Sequence, residues 1–239
     1  TIKPHPLGRE FIMKITFMGA GSTVFARNVI GDCMCTEALR DSIFALYDID
    51  GERLEESRVI LEAMRKAKGG YGRIECYVGV ENRKDALRGA NFVVNAIQVG
   101  LYDPCTIIDF EVPKKYGLRQ TIGDTLGIGG IMRTLRTIPV MKNIAERIEA
   151  ICPDAWLINF TNPSGIISEF LINHTNVKTM GLCNVPIAMI DDVKAAVGED
   201  ADITYLGLNH LSWITSVKVN GEEKFDTIFD DNFAPTVMK

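Results

Sequence analysis

The sequence is short of histidine and tryptophan, with 3 and 2 in 239 residues, and no apolar run approaches the roughly 20 residues of a membrane span. Positive charge is scarce as well. Its 26 Lys and Arg against 31 Asp and Glu leave a formal charge of -5, which repels phosphate and argues against a nucleic-acid or anionic-membrane surface. The six cysteines, Cys33, Cys35, Cys76, Cys105, Cys152 and Cys183, form no CxxC and no short disulfide framework. In a chain long enough to bury its own core they read as reduced cytoplasmic thiols, mostly small core residues. Ser-His-Asp order, P-loop and zinc-ribbon spacings are absent. Residues 1–12 lack a secretory apolar core and are expected to be an upstream extension or cloning remnant.

The rest is of globular average: 46% hydrophobic, 24% charged, with 21 Gly and 9 Pro, which excludes disorder and collagen-like repeats. Nearly continuous apolar runs occur at 14–18, 42–47, 91–97, 155–160 and 177–182, as strands of a parallel sheet covered on both faces require. Amphipathic stretches at 53–68 and 133–151 predict helices between them. The alternation predicts a doubly wound α/β, Rossmann-like domain over 13–200. From residue 201 the pattern becomes that of alternating strands, with Asn220-Gly221 as a hairpin turn. Residues 201–239 are expected to begin an α+β domain that the sequence does not complete.

Gly19-Ala20-Gly21 directly follows the first strand, where glycines let backbone N–H groups approach a pyrophosphate. Val24 replaces the third glycine of the dinucleotide fingerprint, so a plain glycine turn is the alternative. Asp48 closes the second strand and is read as acceptor for a ribose hydroxyl, which favours NAD over NADP; a turn residue or helix cap is the alternative. Gly21 to Asp48 exceeds the usual spacing of about 20 residues, so an insertion is expected between them. Cys183 and His210 each follow an apolar run. They could share a divalent ion, or be a buried thiol and a packed imidazole. His174 lies at a polar helix end. Asn159, Asn162 and Asn209 stand in apolar surroundings, where turn and cap hydrogen bonding is the simplest role.

Taken jointly, several motifs resemble the family-4 glycoside hydrolases. They are Gly-Ala-Gly-Ser-Thr (19–23), Ala-Leu-Tyr-Asp-Ile-Asp (45–50), Lys-Tyr-Gly-Leu (115–118) and Gly-Asp-Thr-Leu-Gly-Ile-Gly-Gly (123–130). Leu-Arg-Thr-Ile-Pro (135–139), Asn-Phe-Thr-Asn-Pro (159–163), Gly-Leu-Cys-Asn-Val-Pro (181–186) and Gly-Leu-Asn-His (207–210) complete the set. The resemblance implies a glycosidase outside the two-carboxylate scheme, dependent on NAD and a divalent metal, typically Mn2+. A hydride leaves sugar C3, the C2 proton is removed, the C1 substituent is eliminated, water adds, and C3 is reduced again. Cys183 and His210 match the metal ligands. Asn162 matches the residue contacting the sugar near C3 and the metal. Gly19, Gly21, Ser22, Thr23 and Asp48 match NAD-binding positions.

Asn184 and Asp124 are the further catalytic candidates, Asp124 as partner of a sugar hydroxyl or as a cap on its glycine-rich loop. Arg133 and Arg136 face either substrate or the helix surface. The family's base is a tyrosine from its C-terminal domain, expected here beyond Lys239, since no tyrosine follows Tyr205. Asn184-Val185-Pro186 resembles the 6-phospho-β-glucosidase branch. Cys105, however, stands where phospho-sugar branches carry arginine, and 123–127 resembles the α-galactosidase and α-glucosidase branch. An α-glycoside is therefore the expected substrate, with a 6-phospho-β-glucoside as alternative. A 2-hydroxy-acid dehydrogenase or a non-catalytic NAD-binding module represents the other classes. The expected partners are a small glycoside and further copies of the chain, as a homo-oligomer.

Overall fold

The computed structural model describes residues 12–198 and 200–228. Six parallel strands form one sheet: Lys14–Met18 (β1), Ile43–Asp48 (β2), Arg73–Val78 (β3), Phe92–Asn95 (β4), Trp156–Asn159 (β5) and Lys178–Gly181 (β6). Their order is β3-β2-β1-β4-β5-β6, that of a doubly wound dinucleotide-binding fold. All five residues of β1 are buried because it lies at the centre. Alternate strand side chains serve opposite faces. Ile15, Phe17, Phe44, Leu46 and Val94 pack beneath Thr23–Cys35 (α1) and Gly51–Ala67 (α2). Met18, Val93 and Leu157 pack beneath Arg83–Leu87 (α3), Gly127–Ile151 (α5) and Ser164–His174 (α6). Each large apolar side chain buried this way contributes roughly 1.5–3 kcal/mol.

Two elements depart from the sequence expectation. The edge strand β3 has three exposed and three half-buried positions and none fully buried, and its Arg-Ile-Glu-Cys-Tyr-Val lacks the continuous apolar run that marks the inner strands. Helix α5 begins six residues before the expected Arg133, at Gly127. Its first turn is glycine-rich because Cβ atoms at Gly129 and Gly130 would run into the Gly123 and Thr125 carbonyl oxygens. The expected insertion after α1 is a series of turns over residues 36–42.

Two further segments frame the site. A π-helical turn at Leu101–Thr106 leads into Ile107–Lys115 (α4). After Val185–Val197 (α7), an antiparallel sheet of Asp202–Leu208 (β7), Leu211–Val219 (β8) and Glu222–Glu223 (β9) packs over Val193, Ala201, Val217 and Ile228. The Asn220-Gly221 turn joins β8 to β9, with φ of 52° and 81°, as a tight primed turn requires. The β7–β8 turn is Asn209-His210, and His210 adopts φ 59°.

Candidate functional site

Strand order reverses between β1 and β4, and the chains leaving the carboxyl ends of these strands part in opposite directions. The crevice opened there has a volume of about 300 Å3 and is lined by residues from four strand ends and from the β7–β8 turn. Ser22, Asn162, Cys183, Asn184 and His210, five residues singled out from the sequence, all line it.

The glycine turn is held by the end of β2. Gly19 N and Ala20 N both donate to the Tyr47 carbonyl at 3.0 Å, and Gly21 N donates to Asp48 Oδ2 at 2.7 Å. Gly19 needs its lack of a side chain: its φ is 86°, and a Cβ would lie 2.7 Å from the Ala96 carbonyl oxygen. Asp48 Oδ1 accepts from Asp50 N at 3.0 Å. The helix cap belongs instead to Asp50, whose side chain accepts from Glu52 N and Arg53 N. Asp48 and Gly19 line a second hollow of about 270 Å3 beside Ile97, Val99 and Gly100. The Thr23 hydroxyl lies 3.1 Å from that of Ser57, and Thr23 lines neither hollow.

Cys183 follows β6 and His210 sits in the β7–β8 turn, 27 residues later. Their Sγ and Nε2 atoms are 3.9 Å apart. Val185 N donates to the sulfur at 3.5 Å. A first-row metal ion binds sulfur at about 2.3 Å and imidazole nitrogen at about 2.0–2.1 Å, so one ion reaches both atoms at this separation. No cluster of three His, Cys, Asp or Glu that could hold a metal occurs among the described residues. Asn209, beside His210, has a buried side-chain amide without a hydrogen-bond partner among the described residues. His174 stacks on Phe170 at the end of α6, remote in role from this pair.

Beneath the crevice, β4 and β5 end in a buried polar network. Asn95 Nδ2 donates to Asn159 Oδ1 at 2.9 Å, Asn159 Nδ2 donates to the Thr161 carbonyl at 3.1 Å, and the Thr161 hydroxyl donates to the Ile97 carbonyl at 2.9 Å. Asn159 thus has the turn-bonding role its surroundings suggested. Asn95 and Thr161 escaped notice in the sequence because each lies inside or beside an ordinary strand run.

Arg133 and Arg136, one turn apart on α5, have different fates. Arg136 forms a two-pronged pair with the buried Asp109 of α4, and its Nε donates to the Val99 carbonyl at 3.1 Å. Arg133 is 7% exposed and lines the crevice. Its Nε donates to the Asn162 carbonyl at 3.1 Å, and Asp124 Oδ2 lies 3.8 Å from its Nη1. Burial pulls the Arg133 guanidinium below its ordinary range, with Asp124 opposing. Asp124 is therefore tied to Arg133 and to the Thr125 hydroxyl, 3.1 Å away. Cys105 sits in the Leu101–Thr106 turn against Gly100, near Arg136.

Comparison with known proteins accords with this arrangement. Residues 14–199 match the family described as family 4 glycosyl hydrolase. The chain is 50% identical over 218 residues to an alpha-galactosidase of Bacillus subtilis (strain 168), covering 90% of this chain and 50% of that protein. A solved 6-phospho-beta-glucosidase from Thermotoga maritima, with manganese, NAD+ and glucose-6-phosphate, is 31% identical with a TM-score of 0.78, over 91% of this chain and 52% of that one. A malate dehydrogenase from Picrophilus torridus, at 17% identity and TM-score 0.64 over 94% of this chain and 65% of that one, shares the fold alone. The chain spans about half the length of the curated relatives it matches. The order of its motifs, the doubly wound sheet and the match over most of its length place the chain in family 4 of the glycosyl hydrolases.

Proposed function

We propose that the protein is a glycosidase for an unphosphorylated α-galactoside, dependent on NAD and a divalent metal. The observation that carries this reading is the convergence of Cys183 Sγ and His210 Nε2, 3.9 Å apart, in the crevice that Ser22 and Asn162 also line. A thiolate and an imidazole suit a transition-metal ion and do not by themselves single out manganese; oxygen donors from a sugar would shift the preference toward that harder ion. With two protein ligands, the remaining positions fall to substrate oxygens and water. When bound, NAD and the metal supply hydride removal and return and polarisation of sugar oxygens.

The chain's own residues set the geometry for that chemistry. The Gly19–Gly21 turn presents the α1 N-terminus to a pyrophosphate, and Asp48, latched by Gly21, keeps a carboxylate at the ribose position beside the second hollow. Asn162 offers its amide on the crevice wall, where Arg133 holds its carbonyl. Asn184 lines the same wall at the start of α7.

Two observations favour an unphosphorylated substrate. Arg136, near Cys105, is committed to Asp109, and Arg133 has Asp124 as a carboxylate neighbour. A phosphate dianion would meet only a guanidinium whose charge Asp124 already offsets. The relative at 50% identity is named alpha-galactosidase. A 6-phospho-β-glucoside remains the second reading, on the strength of Asn184 after Cys183. The six free cysteines suit a reducing, cytoplasmic compartment, and no described helix is long and apolar enough to cross a membrane.

The test is hydrolysis of p-nitrophenyl α-galactoside, α-glucoside and 6-phospho-β-glucoside by the full-length protein, each with and without NAD+, Mn2+ and a reductant. Turnover of the α-galactoside that needs both cofactors is the expected result. Turnover undiminished when NAD+ is removed would overturn the mechanism, and selective turnover of the phosphorylated substrate would overturn the substrate assignment.

A further inference from the structure

Arg133 is a buried cation with an incomplete set of partners. Nε donates to the Asn162 carbonyl at 3.1 Å, and Nη1 lies 3.5 Å from the Thr106 hydroxyl and 3.8 Å from Asp124. Nη2 has no acceptor among the described residues, yet its atoms are not sealed in the interior. The side chain lines the crevice that Cys183, His210 and Asn162 share. The Nε and Nη1 donors of the guanidinium are therefore met by three separate segments: the turn after β5, the Leu101–Thr106 turn and the loop before α5. Nη2, which lies between them beside the Nε–H, keeps its N–H donors for whatever occupies the crevice. A guanidinium always donates and never accepts, so its complement on a ligand is an oxygen atom. With Asp124 beside it the local charge is nearly balanced, which favours a neutral hydroxyl over an anionic oxygen.

We propose that Arg133 is a specificity-determining residue that contacts substrate: its Nη2 donates to one hydroxyl oxygen of the bound sugar, while its Nε holds the Asn162 peptide in register. This rests on the glycosidase reading and adds a residue to it. The planar fork matters, because Nε and Nη2 are held side by side in one plane, which a lysine ammonium cannot reproduce. A hydrogen bond from a charged donor is worth about 10- to 100-fold in affinity.

The experiment uses the full-length protein with NAD+ and Mn2+, in wild-type, Arg133→Lys and Arg133→Gln forms. Three quantities are measured: binding of galactose and of its 2-, 3-, 4- and 6-deoxy analogues by calorimetry, kcat/KM for p-nitrophenyl α-galactoside and for its 4- and 6-deoxy analogues, and NAD+ affinity by fluorescence. The expected result is a loss of about 10- to 100-fold in galactose affinity and kcat/KM in both variants, with NAD+ affinity within about threefold. One deoxy analogue should suffer the same loss in wild type and no further loss in the variants, which identifies the hydroxyl. A purely structural role would depress all analogues by a common factor in the variants, and that outcome overturns the proposal. So does unchanged kcat/KM for the parent substrate, or a wild-type preference for galacturonide over galactoside that Arg133→Gln abolishes. If wild type itself neither binds galactose nor hydrolyses any glycoside, the glycosidase reading falls, and the proposal with it; that case is recognised without reference to the variants.

Discussion

A methyl group on Gly19 would crowd the Ala96 carbonyl and force a left-handed φ on a residue with a side chain. Gly19→Ala should therefore cost about 1–3 kcal/mol of stability and weaken NAD+ binding, because the turn it distorts is the one that would meet the pyrophosphate. Urea denaturation and NAD+ titration of the variant check both effects. Cys183 offers a second test at this scale. Replacing its sulfur by oxygen in Cys183→Ser keeps the size of the side chain and removes the soft donor. Mn2+ affinity, read from the free-ion electron paramagnetic resonance signal, should fall more than about tenfold, with NAD+ affinity nearly unchanged. Retained Mn2+ affinity would remove Cys183 from the ligand set. Neither residue is informative alone in the sequence. Gly19 is one of 21 glycines and Cys183 one of six cysteines, and what sets each apart is a neighbour contributed from elsewhere in the chain.

At the scale of elements, α4 and α5 are joined by the pair of Asp109 and Arg136, with Asp109 5% exposed. Arg136 also donates to the Val99 carbonyl, so this one guanidinium ties the loop after β4 to both helices. Asp109→Asn leaves a partly buried cation without its carboxylate, and the expected loss is about 3 kcal/mol. Urea unfolding of the variant measures it; a loss below about 1 kcal/mol would mean that water replaces the carboxylate. Helix α5 also shows where element boundaries escape a reading of pattern. The 3.6-residue period of Met141, Ile144, Ala145 and Ile148 marks its body, and all four are fully buried, whereas Leu135 of the same expected stretch is exposed. Its glycine-rich first turn carries no such period, because it packs by close backbone approach instead. The edge strand β3 was illegible for the converse reason: half of it faces solvent.

Across the whole molecule, the start of β1 is clamped by a charge cluster distinct from the crevice. Lys14 Nζ donates to the Asp85 and Arg88 carbonyls at 3.1 and 3.0 Å and lies 3.9 Å from Glu75. Burial pushes the Glu75 carboxyl up, but the Tyr77 hydroxyl, Arg73 and Lys14 together hold it below its ordinary range. Tyr77, desolvated and donating to Glu75, is pushed up to about 12. Because the folded-state pKa of Glu75 is depressed, its contribution is present at neutral pH and is lost as pH falls through that lowered value. Wild type should exceed Glu75→Gln in stability by about 1 kcal/mol at pH 7, the gap closing below the usual glutamate range of about 4.3. Melting curves from pH 7 to pH 3 test this. A gap that persists at pH 3 would assign the effect to packing.

Much of the fold was legible because its causes are local. Continuous apolar runs can be satisfied only by strands buried on both faces, and the Asn220-Gly221 pair suits a turn with two positive φ values. Ordered motifs from Gly19 to His210 identified the family for the same reason: each is a short contiguous segment. In the residues alone the pairing of Cys183 with His210 was one of two open readings, and only the family resemblance favoured it, since the intervening residues include all of α7 and β7. Whether Asp48 serves as ribose acceptor or as a turn or cap residue was left open by the sequence, because Asp48 and Asp50 are both acids at a strand end, and its contact with the glycine turn was not foreseen. The sheet decided it by setting Gly21 N against Asp48. Arg133 and Arg136 of α5 look equivalent in sequence at a spacing of three. Only tertiary packing separated them, turning Arg136 onto Asp109 and Arg133 into the crevice. The sequence by itself determined the inner strands, the bodies of the long helices, the parallel sheet and the family, because those depend on local pattern. Tertiary structure alone decided which polar groups meet, because a hydrogen bond or a shared ion depends on distance in space rather than along the chain.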